Sequence, residues 1–176
     1  MGTIIVNFVK GTREAYHNTD AVEKVISYIL REDARIVDDI CGTIGVFHED
    51  IEGIVQDFMK VKEIYHKKDG VQIKHIVVSF SERPILPRRK LHEKIIKMVG
   101  KLGKKFQIVY AVHEDTDNWH VHIGVNSVGY DGQKLIIDYW KLHKIKQLIS
   151  RVWKNCNYHL IECKSIDDFS DLNADA

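Results

Sequence analysis

The chain has 176 residues, 44% of them hydrophobic, and a formal net charge of +1. That length supports one domain with its own core, and no apolar run is long enough to span a bilayer, which sets the chain among globular rather than membrane-spanning proteins. Its cysteines, Cys41, Cys156 and Cys163, are odd in number and lack CxxC spacing; this argues against a cysteine zinc site and for a reducing, cytoplasmic setting.

In chain order, TIIVNFVKG (3–11) reads as a first strand: it has no basic segment before it and no small-residue cleavage site, so it is not a signal peptide. Thr19 or Asp20 can cap a helix over AVEKVISYILRE, in which Val22, Val25, Ile26 and Ile29 form one apolar stripe. Residues 34–46 are irregular, with possible short strands. EDIEGIVQDFMKVKEIYHKKDG (49–70) is a long amphipathic helix closed by Asp-Gly. VQIKHIVVSFS (71–81) is a strand, and after two prolines RRKLHEKIIKMVGKLGKK is a basic helix. FQIVYAVHED (106–115) and WHVHIGVNSVGY (119–130) are strands with a short connection, hence a hairpin. IDYWKLHKIKQLISRVWKNCN (137–157) is the last long helix. No repeat and no linker divides the chain. The expectation is an α+β fold: one domain over residues 1–160 with a central antiparallel sheet and helices packed mainly on one face, followed by a flexible acidic tail, residues 161–176.

The near-neutral total hides segregation. Residues 83–105 carry nine Lys or Arg and one acid, residues 141–154 carry five basic residues and no acid, and residues 162–176 carry five acids and one lysine. Basic segments of this kind can hold phosphate even in a neutral chain.

The densest chemistry is in VHEDTDNWHVHIGVN (112–126). Side chains alternate along a strand, so His120 and His122 share a face while Val121 and Ile123 point to the other. Across a hairpin, His113 falls opposite that pair. Three imidazoles then converge as a metal site with coordination positions left open. Asp115 and Asp117 are the nearest carboxylates to accept the second ring N–H of those imidazoles.

HEDTDNWHVHIGVN also resembles the third motif of conjugative relaxases, the mobilisation nucleases of the HUH superfamily. His113, Asp115, Asp117, Asn118, His120, His122 and Asn126 match that motif. KHIVVSFS before a helix, then FQIVYAVHED, resembles the element order of the VirD2/MobA-like group of Gram-positive plasmids and integrative elements. YHNTDAVEKVISYILRE loosely resembles that group's first motif. The resemblance covers most of residues 3–157. It implies site- and strand-specific nicking of single-stranded or hairpin origin-of-transfer DNA, a covalent 5′-phosphotyrosine intermediate and religation by strand transfer. It also implies a divalent metal, Mn²⁺ or Mg²⁺, with accessory proteins and a coupling protein as possible partners in a bacterial cytoplasm. Relaxases usually carry further chain beyond this domain.

The resemblance further implies a nucleophile at the end of the first helix, and Tyr28 in ISYILRED fits that position, at the edge of the buried stripe, with Arg31 beside it to meet phosphate. Tyr16 is a second candidate. Tyr139 is the third: it would make the chain a rolling-circle replication initiator. A non-cutting, metal-binding DNA accessory protein is a further alternative. His75 has three readings, a fourth ligand, a proton acceptor or an edge residue, and Asn126 is grouped with Asp115 and Asp117 as supporting residues. Arg31, Arg88, Arg89, Lys90, Lys141 and Lys144 are the candidate phosphate contacts, and Trp119 or Trp140 can stack a base.

Overall fold

A computed structural model of the chain describes residues 2–9, 16–34, 40–116, 118–156 and 158–161. In chain order the elements are β1 (Gly2–Phe8), α1 (Ala21–Ile29), a 3₁₀ turn (Glu32–Ala34), β2 (Cys41–Ile44), α2 (Ile51–Ile64), β3 (Ile73–Phe80), α3 (Arg88–Leu102), β4 (Ile108–His113), β5 (Trp119–Asn126), α4 (Tyr139–Trp153) and β6 (Tyr158–Ile161). The strands form one sheet in the order β2-β4-β5-β3-β1-β6. Every neighbouring pair is antiparallel except β1 and β6, which run parallel. The α+β expectation holds.

The larger core lies on one face of the sheet. Ile76, Val78 and Phe80 of β3, Val112 of β4 and Val121 and Ile123 of β5 meet Leu91, Ile95 and Val99 of α3 and Ile145 and Ile149 of α4. A second, smaller cluster covers part of the opposite face. There the stripe Val22, Val25, Ile26 and Ile29 of α1, with Ile54 and Phe58 of α2, packs on Ile73, Val109 and Ala111.

Helix starts follow ordinary capping chemistry. Asp50 accepts from Gly53 N at 2.8 Å, and Asp138 accepts from Lys141 N at 2.7 Å. Asp20 precedes α1 without capping it; its carboxylate pairs with Lys24 instead. β2 is one of the short strands expected within residues 34–46, whereas β6 is unexpected: it follows the predicted end of the last helix at residue 157 and takes in residue 161, read as the start of the tail, the rest of which lies outside the described residues. Among the described residues no helix is long and apolar enough to cross a membrane.

Beneath α2 lies a buried polar network. Lys62 Nζ donates to Asn126 Oδ1 and, at 3.2 Å, to Ser127 Oγ. Asn126 Nδ2 donates to Phe58 O at 3.0 Å and Gln107 Oε1 at 2.8 Å. Both partners of the ammonium are neutral, and burial pulls the Lys62 pKa from 10.5 down to about 7. Burial also lowers Lys74 to about 8. The folded state therefore prefers the uncharged lysine, and the penalty for the ammonium is fully present below the folded pKa. It lifts as pH rises through about 7 towards 10.5. Unfolding free energy is expected to increase across that window by on the order of 3–5 kcal/mol. Lys62→Met should flatten the dependence and raise stability at pH 7, read from urea melts at a series of pH values.

Candidate metal centre and its tyrosine

The hairpin register sets the site. His113 of β4 pairs directly with His120 of β5, and Ala111 with His122. All three imidazoles therefore rise from the face that α1 and α2 cover only in part. Their ligating nitrogens lie within 4.8 Å of one another, and all three side chains are buried.

Hydrogen bonds on the outer side of each ring determine which nitrogen is left over. His113 Nε2 donates to the carbonyl of Ile29 at 2.7 Å. His120 Nδ1 donates to the carbonyl of Asn118 at 2.6 Å. His122 Nδ1 and His75 Nε2 share one proton at 2.8 Å. These contacts leave His113 Nδ1 and His122 Nε2 buried and unpartnered among the described residues. His120 Nε2 faces Asp115 Oδ1 at 3.5 Å. A buried ring nitrogen with an unused lone pair is costly unless something electron-poor takes it. Two such nitrogens, with His120 as the third imidazole whose ligand atom lies within 4.8 Å of theirs, form a donor set that could hold a cation.

The electrostatics agree. Burial, followed by the His113 imidazole, lowers His75 to about 4. Burial also lowers His113, partly opposed by its bond to Ile29. His122 falls furthest, first from burial and then from the neighbouring imidazoles and Arg31. At neutral pH these three rings are uncharged, the form that ligates.

Tyr28 stands over this cluster. Its ring centroid is 5.3 Å from His122, 5.9 Å from His75 and 6.3 Å from His113. The side chain keeps 45% of its exposure, so solvent reaches it. Two contacts anchor the end of α1 there. The Ile29 carbonyl takes the His113 proton, and Ile29 Cδ1 lies 3.0 Å from where a Cβ on Gly124 would sit. Gly124 is thus the notch that lets α1 approach β5. Gly124→Val should push Ile29, and with it Tyr28, off the sheet, at a cost of about 1–3 kcal/mol in a denaturant melt.

Arg31 is engaged within the protein. Its guanidinium carbon is 3.9 Å above the Tyr28 ring centre, one amino group donates to Tyr28 O at 2.9 Å, and another pairs with Asp115. Asp115 thus bridges His120 and Arg31, while Asp117 lies outside the described residues.

Other candidate residues fall elsewhere. Asn126 shares the histidine face but lies four residues beyond His122 on β5, in the Lys62 network; it supports the fold beneath α2 rather than the imidazoles. Trp119 is 4% exposed and packs edge-on to Phe80 at 5.0 Å, so no base can stack on it. Trp140, 70% exposed, is the accessible ring of the two. Arg88, Arg89 and Lys90 open α3, and Glu93 pairs with Arg89 and Lys90. Lys141 and Lys144 lie on the α3/α4 layer beside Ile76 and Val125, towards the other end of β5 from His120. Tyr16 is half-buried against the smaller core, where burial raises its hydroxyl pKa. The backbone acceptors at Ile29 and Asn118 escaped the sequence reading, because carbonyls carry no residue-type signal.

The chain is similar to several known proteins. The family "Relaxase: MobA/VirD2-like, nuclease domain" matches residues 28–158. Two relatives from Staphylococcus aureus, each named "Protein rlx", are 26% identical over 117 and 85 residues, covering 66% and 48% of this chain. Those alignments span 35% and 27% of the relatives, so the chain matches about a third of their length. A solved chain from work described as "Molecular Basis of Vancomycin Resistance Transfer in Staphylococcus aureus" superposes with a TM-score of 0.46 at 8% identity, covering 71% of this chain and 75% of that one.

Proposed function

The chain belongs to the MobA/VirD2-like relaxase family through its nuclease domain, and we propose that it nicks one DNA strand with Tyr28 as nucleophile, beside a divalent metal held by His113, His120 and His122. The observation that carries this reading is the pair of buried, unpartnered nitrogens on His113 and His122, with the Tyr28 ring 5.3 Å from His122.

When bound, the metal would draw charge from the scissile phosphate's oxygens. Three nitrogen donors suit Mn²⁺ better than Mg²⁺. The remaining work falls to side chains. The Tyr28 hydroxyl attacks phosphorus: a Tyr28 Oη–P bond forms, the P–O3′ bond breaks, and the 3′ oxygen leaves and takes up a proton. The phenol releases its own proton to the water that reaches its exposed side. His75 stays neutral and accepts from His122 Nδ1, fixing the tautomer that aims Nε2 inwards. Asp115 fixes Arg31 over the Tyr28 ring, which limits the phenol's freedom before attack. Reversal by the free 3′ hydroxyl reseals the strand without an external energy source.

Single-stranded, origin-type DNA is the substrate we propose, with Arg88, Arg89 and Lys90 as phosphate contacts on the α3 end nearest the hairpin turn. The initiator reading is less favoured, because α4, which Tyr139 opens, begins on the other layer, beside Val125 rather than beside the histidines. The test uses labelled single-stranded fragments tiled across the genetic element that encodes the chain, with Mn²⁺. At least one fragment should form an adduct that survives SDS, and EDTA should prevent it. Binding without any adduct, across all tiles, would favour the non-cutting accessory protein.

A further inference from the structure

On the face away from the histidines, α3 and α4 leave a groove of about 210 Å³. Ile76, Val125 and Leu148 help line it, and Lys101, Lys141 and Lys144 stand around it. Trp140 and Ile136, 70% and 45% exposed, extend the apolar surface at the start of α4. The positive charge there is poorly balanced. The acid beside Lys141 is Asp138, whose carboxylate caps α4; burial first, and then Lys105 and Lys144, hold the Lys141 pKa below its usual value against the pull of Asp138. An apolar trough with a cationic rim fits a ligand that is apolar along one edge and acidic along the other.

This chain carries such a segment. After β6 come Ile166, Phe169 and Leu172, three residues apart, with Asp167, Asp168 and Asp171 between them. In a helical conformation a spacing of three would gather the apolar residues to one side with the carboxylates flanking them. The topology directs the chain to the right end of the sheet. β6 runs parallel to β1 with Ile161 beside Ile5. Three residues beyond Ile5 is Phe8, whose partner on β3 is Ile76, in the wall of the groove. A chain leaving β6 in the direction of the strand therefore heads for the groove.

We propose that residues 165–172 dock in this groove of their own chain, with Phe169 in the apolar trough and the aspartates on Lys101, Lys141 and Lys144. The surface is then an intramolecular docking site for an acidic, apolar segment rather than part of the DNA path. A short tether supplies the segment at about millimolar local concentration, so modest contacts suffice.

Zero-length carbodiimide coupling of the intact chain tests this. Lys105 and Asp131, 2.6 Å apart, are an internal positive control. Amide links from Asp167, Asp168 or Asp171 should map to Lys101, Lys141 or Lys144, and isotope mixing should show them within one chain. Phe169→Asp should cut their yield roughly tenfold, as expected for losing one buried aromatic anchor. Four outcomes would overturn the proposal: no tail links while the control couples, links scattered over other lysines, links only between copies, or a yield indifferent to Phe169→Asp. None of them bears on nicking by Tyr28.

Discussion

Tyr28→Phe should eliminate the covalent protein–DNA adduct, lowering the nicking rate by at least about 10⁴-fold, the scale seen when a nucleophile is deleted. Only one oxygen is removed. The ring remains beneath the Arg31 guanidinium, and the Tyr28 carbonyl still receives Arg31 at 2.9 Å. The hydroxyl belongs to a side chain that is 45% exposed, so no buried group loses its partner. Stability should shift by no more than about 0.5 kcal/mol, and affinity for the oligonucleotide should persist, because backbone charge contacts do not involve the phenol. Resealing should vanish together with cutting, since both pass through the same Oη–P bond. Tyr16→Phe and Tyr139→Phe should leave the adduct intact. A denaturing gel of the three variants, with a thermal melt of each, reads all of this.

His122→Ala should be the second large effect. His122 sits at the centre of the cluster, with ring centroids 4.5 Å from His113, 4.7 Å from His120 and 5.0 Å from His75. Deleting it removes one of the three proposed ligands and the ring that hydrogen-bonds His75. Mn²⁺ affinity measured by calorimetry should fall by more than about 100-fold, beyond the 10–100-fold expected when only an outer partner is lost. His75→Ala, which removes such an outer partner, should fall inside that lower range. The fold should survive His122→Ala. The substitution takes away a buried nitrogen that has no hydrogen-bond partner among the described residues, which offsets part of the small cavity it opens. Adduct formation should fall with metal occupancy. If Mn²⁺ affinity were unchanged, the three-imidazole site would be wrong even if Tyr28 remained essential.

The centre of the site was legible because strand alternation is strict. His-x-His on one strand and a histidine closing its hairpin partner leave little freedom in where the rings point. The same alternation already contained the correction for Trp119. It shares its face with Val121, Ile123 and Val125, so it had to lie in the core. Asn126 keeps the parity of the histidines, but parity says nothing about distance along the strand, and two more pleats carry it under α2. Lys62 was invisible for a different reason: a lysine in an amphipathic helix reads as solvent-facing, and only the packing of α2 on Asn126 and Ser127 buries it. β6 is short and pairs with β1, more than 150 residues earlier in the chain, so its local pattern carries no sign of its partner. The anchors of Tyr28, the Ile29 carbonyl and the space over Gly124, are properties of backbone and of absent atoms. No residue-type pattern announces either.

The central claim is that the phenol closing the first helix is the group joined to DNA beside the imidazoles of β4 and β5. Tandem mass spectrometry of the nuclease-digested adduct measures this directly. The account predicts a nucleotide remnant on Tyr28, within the peptide containing ISYILR, formed with Mn²⁺ and absent with EDTA. A remnant on Tyr139, Tyr16 or a histidine, or one formed equally well with EDTA, would contradict it.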